Sequence, residues 1–237
     1  MDEKKQAPKQ EQAPNKKLTK PFQIVEAYKT LRTNLLFTLA TAERKSVIIS
    51  SAEPHAGKST TAANLGIVMA QTNFKILLID ADMRKPSLDR IFHVGRSDGL
   101  SRVISNQSTF EEAVVRQVAP NLDLLPAGPI PPNSQELLCS REMRKLLEEA
   151  EKHYHYIFID APPLNVVSDA LMPMAWCAGM LLVVREGQTG RDDIREAVES
   201  VERIDGRVLG TVLTDVKPRR GLRGDRYYKS AEYEYGN

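Results

Sequence analysis

Apolar residues along this chain fall into two rhythms. Short aliphatic runs, Val47-Ile48-Ile49, Ile76-Leu77-Leu78-Ile79, Tyr156-Ile157-Phe158-Ile159 and residues 179–184, have the pattern of buried strands; Leu122 to Leu125 adds a shorter strand, and residues 208–214 the last one. Between them lies helical spacing. Ile24, Tyr28, Leu31, Leu35 and Leu39 recur at i, i+4, i+7, i+11 and i+15 and predict an amphipathic helix over 22–39, with Glu26 opposite the stripe and Lys29 and Arg32 to one side. Residues 61–71 and 191–203 predict further helices. A rigid loop, Gly128-Pro129-Ile130-Pro131-Pro132-Asn133, precedes a helix capped by Asn133 or Ser134 and running to about Lys152. Residues 87–121 read as short helices with loops. Strands alternate with helices and no repeat is visible, so the expected architecture is α/β, a doubly wound, mostly parallel sheet flanked by helices.

The two ends break this pattern. Residues 1–20 hold six Lys, three acids and two Pro with almost nothing apolar, and read as a disordered basic leader. A folded domain is expected over 21–216. From Lys217 onward the chain is basic and Gly-containing, then ends in Tyr227, Tyr228, Tyr233 and Tyr235, interleaved with Lys229, Glu232 and Glu234; residues 217–237 read as a flexible tail.

Composition narrows the class. The 237 residues are enough for one large α/β domain, and 41% hydrophobic with 27% charged content is ordinary for a globular chain. A net charge of +2 gives no bulk electrostatic case for nucleic acid. Cys139 and Cys177 fit neither a metal pair nor a disulfide framework. The apolar stretch 170–184 contains Pro173 and Gly179 and falls short of a membrane span, so membrane association is expected only through a partner.

Candidate chemistry sits at strand ends. Ala52-Glu53-Pro54-His55-Ala56-Gly57-Lys58-Ser59-Thr60 joins a strand to a helix, the context of a phosphate-binding P-loop. In such a loop, backbone N–H groups and the helix N-terminus hold phosphate oxygens, the lysine reaches the β- and γ-phosphates, and the Ser59 hydroxyl ligates Mg²⁺. Pro54 to Thr60 are therefore the nucleotide-binding candidates. Ala52 stands where the first glycine of the usual pattern would be. A second run ends in Asp80-Ala81-Asp82 followed by Arg84, and a third ends in Asp160-Ala161-Pro162-Pro163. In open parallel sheets ligands lie beyond the carboxyl ends of strands, so these acids are placed for a metal–phosphate centre.

Together, the P-loop, the Asp-x-Asp strand end with its trailing Arg, the Asp-x-Pro-Pro strand end, the Gly128–Asn133 loop and the tyrosine cluster resemble the bacterial tyrosine kinases of capsule and exopolysaccharide systems. Their fold is related to the MinD/ParA-type P-loop ATPases, not to eukaryotic protein kinases. The resemblance covers about residues 22–237. It implies an ATP- and Mg²⁺-dependent protein-tyrosine kinase that autophosphorylates Tyr227, Tyr228, Tyr233 and Tyr235 in trans and regulates polysaccharide synthesis and export. It implies catalytic roles for Lys58, Asp80, Asp82 and Asp160, with Mg²⁺ on Ser59, Asp82 and Asp160 and with Asp80 free to accept the tyrosine proton. Glu26-x-x-Lys29-x-x-Arg32 resembles the family's E-x-x-R-x-x-R helix, which implies a ring-like homo-oligomer, with Lys29 as a departure. Relatives often carry Asn near position 214 to contact the base, where this chain has Thr214-Asp215. The resemblance further implies the cytoplasmic tail of a membrane-embedded activator as partner, a cognate tyrosine phosphatase, protein substrates, and a cytoplasmic location at the inner face of the membrane. The alternative is a MinD/ParA-like ATPase switch without kinase activity. Such a switch targets membranes through an amphipathic terminal helix, where this chain ends in tyrosines.

Overall fold

A computed structural model of the chain describes residues 20–95, 98–166 and 168–217. The expected leader and the tyrosine-rich tail lie outside the described residues, apart from Lys20 and Lys217 at their borders. The elements in order are α1 (Lys20–Leu39), β1 (Ser46–Ser51), α2 (Lys58–Ala70), β2 (Ile76–Asp80), α3 (Leu88–Ile91), α4 (Leu100–Ile104), α5 (Phe110–Ala113), β3 (Val115–Ala119), β4 (Leu122–Leu125), α6 (Ser134–Leu138), α7 (Arg141–His153), β5 (Tyr156–Asp160), a 3₁₀ segment (Ser168–Trp176), β6 (Gly179–Arg185), α8 (Arg191–Glu202) and β7 (Val208–Thr214).

The seven strands form one sheet in the order β3-β4-β2-β5-β1-β6-β7, parallel except for β3. The aliphatic runs explain why. Every residue of β1 and β2 is buried, so both sheet faces must be covered. On one face α1 and α2 pack through Leu35, Leu39, Leu65 and Met69 onto Val47, Ile49, Ile76 and Leu78. On the other, α7 and α8 bring Met143, Leu147, Ala197 and Val201 against Ile48, Leu77 and Ile159. Strand register then sets the carboxyl ends of β2 and β5 side by side, next to β1. Asp80 of β2 pairs with Asp160 of β5, and Asp160 with Ile49 of β1.

Three local expectations are corrected. Residues 115–119 are a strand, antiparallel to β4, within a stretch that reads as helices and loops. Its sequence, Val-Arg-Gln-Val-Ala, lacks clean alternation because Gln117 lies at φ 53° in an irregular register at the sheet edge. The single helix expected up to Lys152 is two helices. Ser140 ends the first and caps the second, its Oγ accepting from the Met143 N–H at 3.1 Å, while the Asn133 side chain bonds Glu136 and no backbone N–H of the helix. The α1 stripe is buried only toward its C-terminal end: Leu35 and Leu39 are buried, Tyr28 and Leu31 half-buried, and Ile24 is 55% exposed.

The Gly128–Asn133 loop is anchored by close backbone approach. Leu100 N–H donates to Pro126 O at 2.7 Å and Ser101 N–H to Ala127 O at 3.0 Å. At Gly99 a Cβ would lie 2.3 Å from both Gly128 N and Pro126 O. Gly99→Ala is therefore expected to lower unfolding stability by about 1–3 kcal/mol, since rigid backbone must move to admit one methyl. Urea denaturation checks this; an unchanged midpoint and slope would mean that the two loops separate at no cost.

Candidate functional site

The P-loop is held from outside. The ends of β6 and β7 and the turn after β6 present three side-chain donors to three successive loop carbonyls. Thr214 Oγ1 donates to Ala56 O at 2.7 Å, Arg185 Nη1 to His55 O at 3.1 Å and Gln188 Nε2 to Pro54 O at 3.4 Å. In a trans peptide the C=O and the following N–H point opposite ways, so a carbonyl fixed outward turns the next N–H toward the concave side. His55, Ala56 and Gly57 are the residues so turned. Arg185 is itself steadied by Asp215, whose Oδ2 lies 3.1 Å from Nη2. His55 and Gly57 take positive φ, 64° and 92°, which bends the chain into α2. Ala52, at the place of the missing glycine, and Ala56 are buried.

At the mouth of this loop one ammonium faces several acids. Lys58 Nζ lies 2.9 Å from Asp82 Oδ2, 3.3 Å from Asp160 Oδ1 and 3.3 Å from Ser59 Oγ. Burial works against the Lys58 charge, but Asp160, then Asp82 and Asp80, outweigh it, and its pKa is raised. Asp160 is wholly buried, and burial pushes its carboxyl up against the pull of Lys58. Asp80 does not stand free as expected. It is fully buried, its Oδ2 accepts from the Ser87 and Leu88 N–H groups at 3.0 Å each, and its Oδ1 accepts from the Asp82 N–H at 3.2 Å. Burial, followed by the charge of Asp160, raises its pKa to about 7 despite those bonds.

A cavity of about 520 Å³ opens over this centre, lined by Lys58, Ser59, Asp82 and Arg84 among others; Asp80 and Asp160 lie behind its wall. A larger cavity, about 1050 Å³, lies at the sheet edge between β3, β4 and α7, and none of the P-loop or strand-end acids lines it. The donor set suits Mg²⁺. Among the described residues, the buried Asp160 Oδ2 has no hydrogen-bond partner, and the Ser59 hydroxyl and the Asp82 carboxylate are hard oxygen donors beside it. Among the described residues no three His, Cys, Asp or Glu side chains converge as a ready-made metal cage. Mg²⁺ bound with a nucleotide needs none, because phosphate and water complete its shell.

Other expected residues stand apart from this centre. Lys29 Nζ pairs with Glu26 Oε1 at 2.7 Å on the exposed side of α1, while Arg32 Nη1 donates to Val68 O at 2.8 Å, near the end of α2. Arg32 is thus tied to α2 within the subunit, while Glu26 and Lys29 pair with each other. Thr214 and Asp215, where relatives often carry Asn, support the P-loop, Thr214 through Ala56 O and Asp215 through Arg185. Sequence reasoning did not identify Arg185 and Gln188. No motif marks them, since they act across 130 and 134 residues of chain. Tyr227, Tyr228, Tyr233 and Tyr235 lie outside the described residues.

A loop of this geometry, at the carboxyl ends of a parallel sheet and beside paired strand-end acids, defines a P-loop nucleotide-binding domain. Residues 44–207 match a family model described as an AAA domain. The chain is 39% identical to the tyrosine-protein kinase YwqD of Bacillus subtilis over 210 residues, covering 89% of this chain and 85% of YwqD. It is 36% identical to the putative tyrosine-protein kinase CapB of Staphylococcus aureus, covering 80% and 83%. Among solved structures it resembles the kinase domain of the Escherichia coli tyrosine kinase ETK, with a TM-score of 0.77 and 30% identity over 84% of this chain and 79% of that one. The chain belongs to the bacterial tyrosine-protein kinases.

Two outcomes follow from this geometry. Thr214→Val removes the donor to Ala56 O, and one neutral hydrogen bond is worth about 0.5–1.5 kcal/mol, so ATP affinity should fall roughly two- to tenfold while Thr214→Ser retains it. Calorimetric titration with ATP measures both variants, and equal affinity in Thr214→Val would remove Thr214 from the loop's support. The second concerns pH. The folded-state pKa of Asp80 lies above its ordinary value, so the folded protein holds a proton there that the unfolded chain releases between about pH 4 and 7. The Asp80 contribution therefore favours folding at the low end of that window and is lost as pH rises through about 7. Without nucleotide, Asp80→Asn should flatten the corresponding fall in stability, read from urea midpoints at several pH values.

Proposed function

We propose that this protein transfers the γ-phosphoryl group of ATP to protein tyrosine, including Tyr227, Tyr228, Tyr233 and Tyr235 of a neighbouring copy. The observation that carries this reading is the convergence of Lys58, Ser59, Asp82 and Asp160 under the P-loop, in a chain of the tyrosine-kinase family. Phosphoryl transfer relies on positioning and charge stabilisation. The turned-in N–H groups and Lys58 hold the triphosphate and stabilise charge that builds in the transition state. Ser59, Asp82 and Asp160 would hold Mg²⁺, directly or through water, and the bound ion would supply positive charge toward the triphosphate. The tyrosine oxygen forms the new P–O bond, the bond to the ADP oxygen breaks, and the phenolic proton passes to a carboxylate.

Asp80 is the proposed proton acceptor. Its raised pKa suits a base acting near neutrality. Because Ser87 and Leu88 occupy its Oδ2, this role requires the 82–88 loop to shift when substrates enter. A second reading gives the proton to Asp82, because Asp82 lines the cavity and Asp80 does not. In the wider reading, the cytoplasmic tail of a membrane-embedded partner activates the kinase at the membrane's inner face. A ring-like homo-oligomer presents tails in trans, a cognate phosphatase resets them, and the cycle regulates capsular or exopolysaccharide synthesis and export.

Labelled Mg-ATP with phosphoamino-acid analysis tests the reaction. Phosphotyrosine is expected in the wild type and should be lost in Lys58→Met. Asp80→Asn should lose it too while still binding Mg-ATP, and loss confined to Asp82→Asn would move the acceptor role there. ATP hydrolysis without any phosphotyrosine would leave the ATPase-switch reading instead.

A further inference from the structure

The reacting centre occupies the floor of the 520 Å³ cavity, and the chemistry above it does not use the wall. That wall has two characters. Arg84, Lys85 and Arg90, from the β2–α3 segment, are exposed and line it with positive charge. Arg90 is steadied by donating from Nη2 to Pro86 O at 3.3 Å, and the Lys85 backbone by donating to Asp82 Oδ1 at 3.0 Å. At the rim stand two exposed aliphatic side chains, Ile91 at 40% and Val166 at 59% exposure. Among the described residues that line the cavity, the only carboxylate is Asp82, which already pairs with Lys58. A triphosphate seated on the P-loop takes Lys58 and the loop N–H groups, at the floor. The rim is left with an apolar ledge next to cations.

We infer that this wall is the acceptor subsite, and that it selects a tyrosine flanked by acidic residues. The ring rests against Ile91 and Val166, and carboxylates on either side meet Lys85, Arg90 and Arg84. The inference rests on the kinase reading. Charge complementarity with the chain's own sequence supports it. Tyr233 and Tyr235 sit in Glu232-Tyr233-Glu234-Tyr235, whereas Tyr227 and Tyr228 lie between Arg226 and Lys229. The same wall therefore ranks the four tyrosines, with Tyr233 and Tyr235 as first acceptors and the Tyr227-Tyr228 pair as slow ones. Exposed ion pairs are individually weak, so the preference is graded and sensitive to salt.

The test uses the full chain with Tyr227, Tyr228, Tyr233 and Tyr235 all changed to Phe, so that phosphate enters only an added peptide. Three peptides spanning residues 230–237 are compared: the natural one, one with Glu232 and Glu234 changed to Gln, and one with both changed to Lys. At saturating Mg-ATP the acceptor KM should rise from the first to the third, by roughly three- to tenfold overall, as expected for two weak ion pairs, and the difference should shrink in high salt. The double variant Lys85→Glu/Arg90→Glu should invert the order and favour the Lys-flanked peptide. Its affinity for an ATP analogue, titrated without peptide, should stay near that of the parent. If all three peptides react with equal KM, or if the charge-reversed wall keeps the original order, the subsite inference is wrong. If the reversed wall loses nucleotide affinity as much as peptide affinity, those cations serve ATP, and the inference is again wrong. If no peptide is phosphorylated by the parent at all, the kinase reading itself fails.

Discussion

The structure depends on one electrostatic arrangement: a single lysine ammonium set against carboxylates at the ends of two adjacent parallel strands. Asp80 and Asp160 are in register and wholly buried, and Asp82 follows two residues on. Burying like charges this close is costly, and the raised pKa values of Asp80 and Asp160 express that cost. Lys58 offsets part of it, and backbone N–H groups from residues 82, 87 and 88 hold Asp80. Among the described residues, Asp160 Oδ2 is left without a partner. A centre with an unsatisfied buried acceptor is built to receive something positive, and a divalent cation with its phosphate ligands has the right charge and hardness.

The loop that carries Lys58 is supported by distant chain. Its three outward carbonyls accept hydrogen bonds from the ends of the sixth and seventh strands and from the turn between the sixth strand and α8. The sheet edge thus sets the direction of the loop's N–H groups. Asp215, in the left-handed region at φ 55°, closes this support by pairing with Arg185. The residues after the last strand are therefore part of the nucleotide site's scaffold, although they contribute nothing to the cavity floor.

The parts of this site that are local in sequence were legible there. Gly57-Lys58-Ser59-Thr60 between a strand and a helix is a contiguous signal, and so is an aliphatic run closing on Asp80 or Asp160. The fully buried strands declared a sheet covered on both faces. Non-local features were not legible. The roles of Arg185, Gln188 and Thr214 depend on contacts spanning 130 residues or more. The engagement of Asp80 by Ser87 and Leu88 depends on how a loop folds back, which spacing does not encode. The edge strand 115–119 was missed because a bulge hides its alternation, and the break at Ser140 because apolar spacing continues across it. Arg32 reads as a surface cation on a helical wheel, yet it is spent on a carbonyl of α2.

The central claim is that Lys58 and the strand-end carboxylates form a Mg²⁺-nucleotide site. It is tested most directly by calorimetric titration of ATP in excess Mg²⁺ and in excess EDTA, for the wild type and for Asp160→Asn. The account predicts that Mg²⁺ strengthens ATP binding to the wild type and that this increment largely disappears in Asp160→Asn, while the metal-free affinity stays close to that of the wild type. An equal Mg²⁺ increment in both proteins would contradict it.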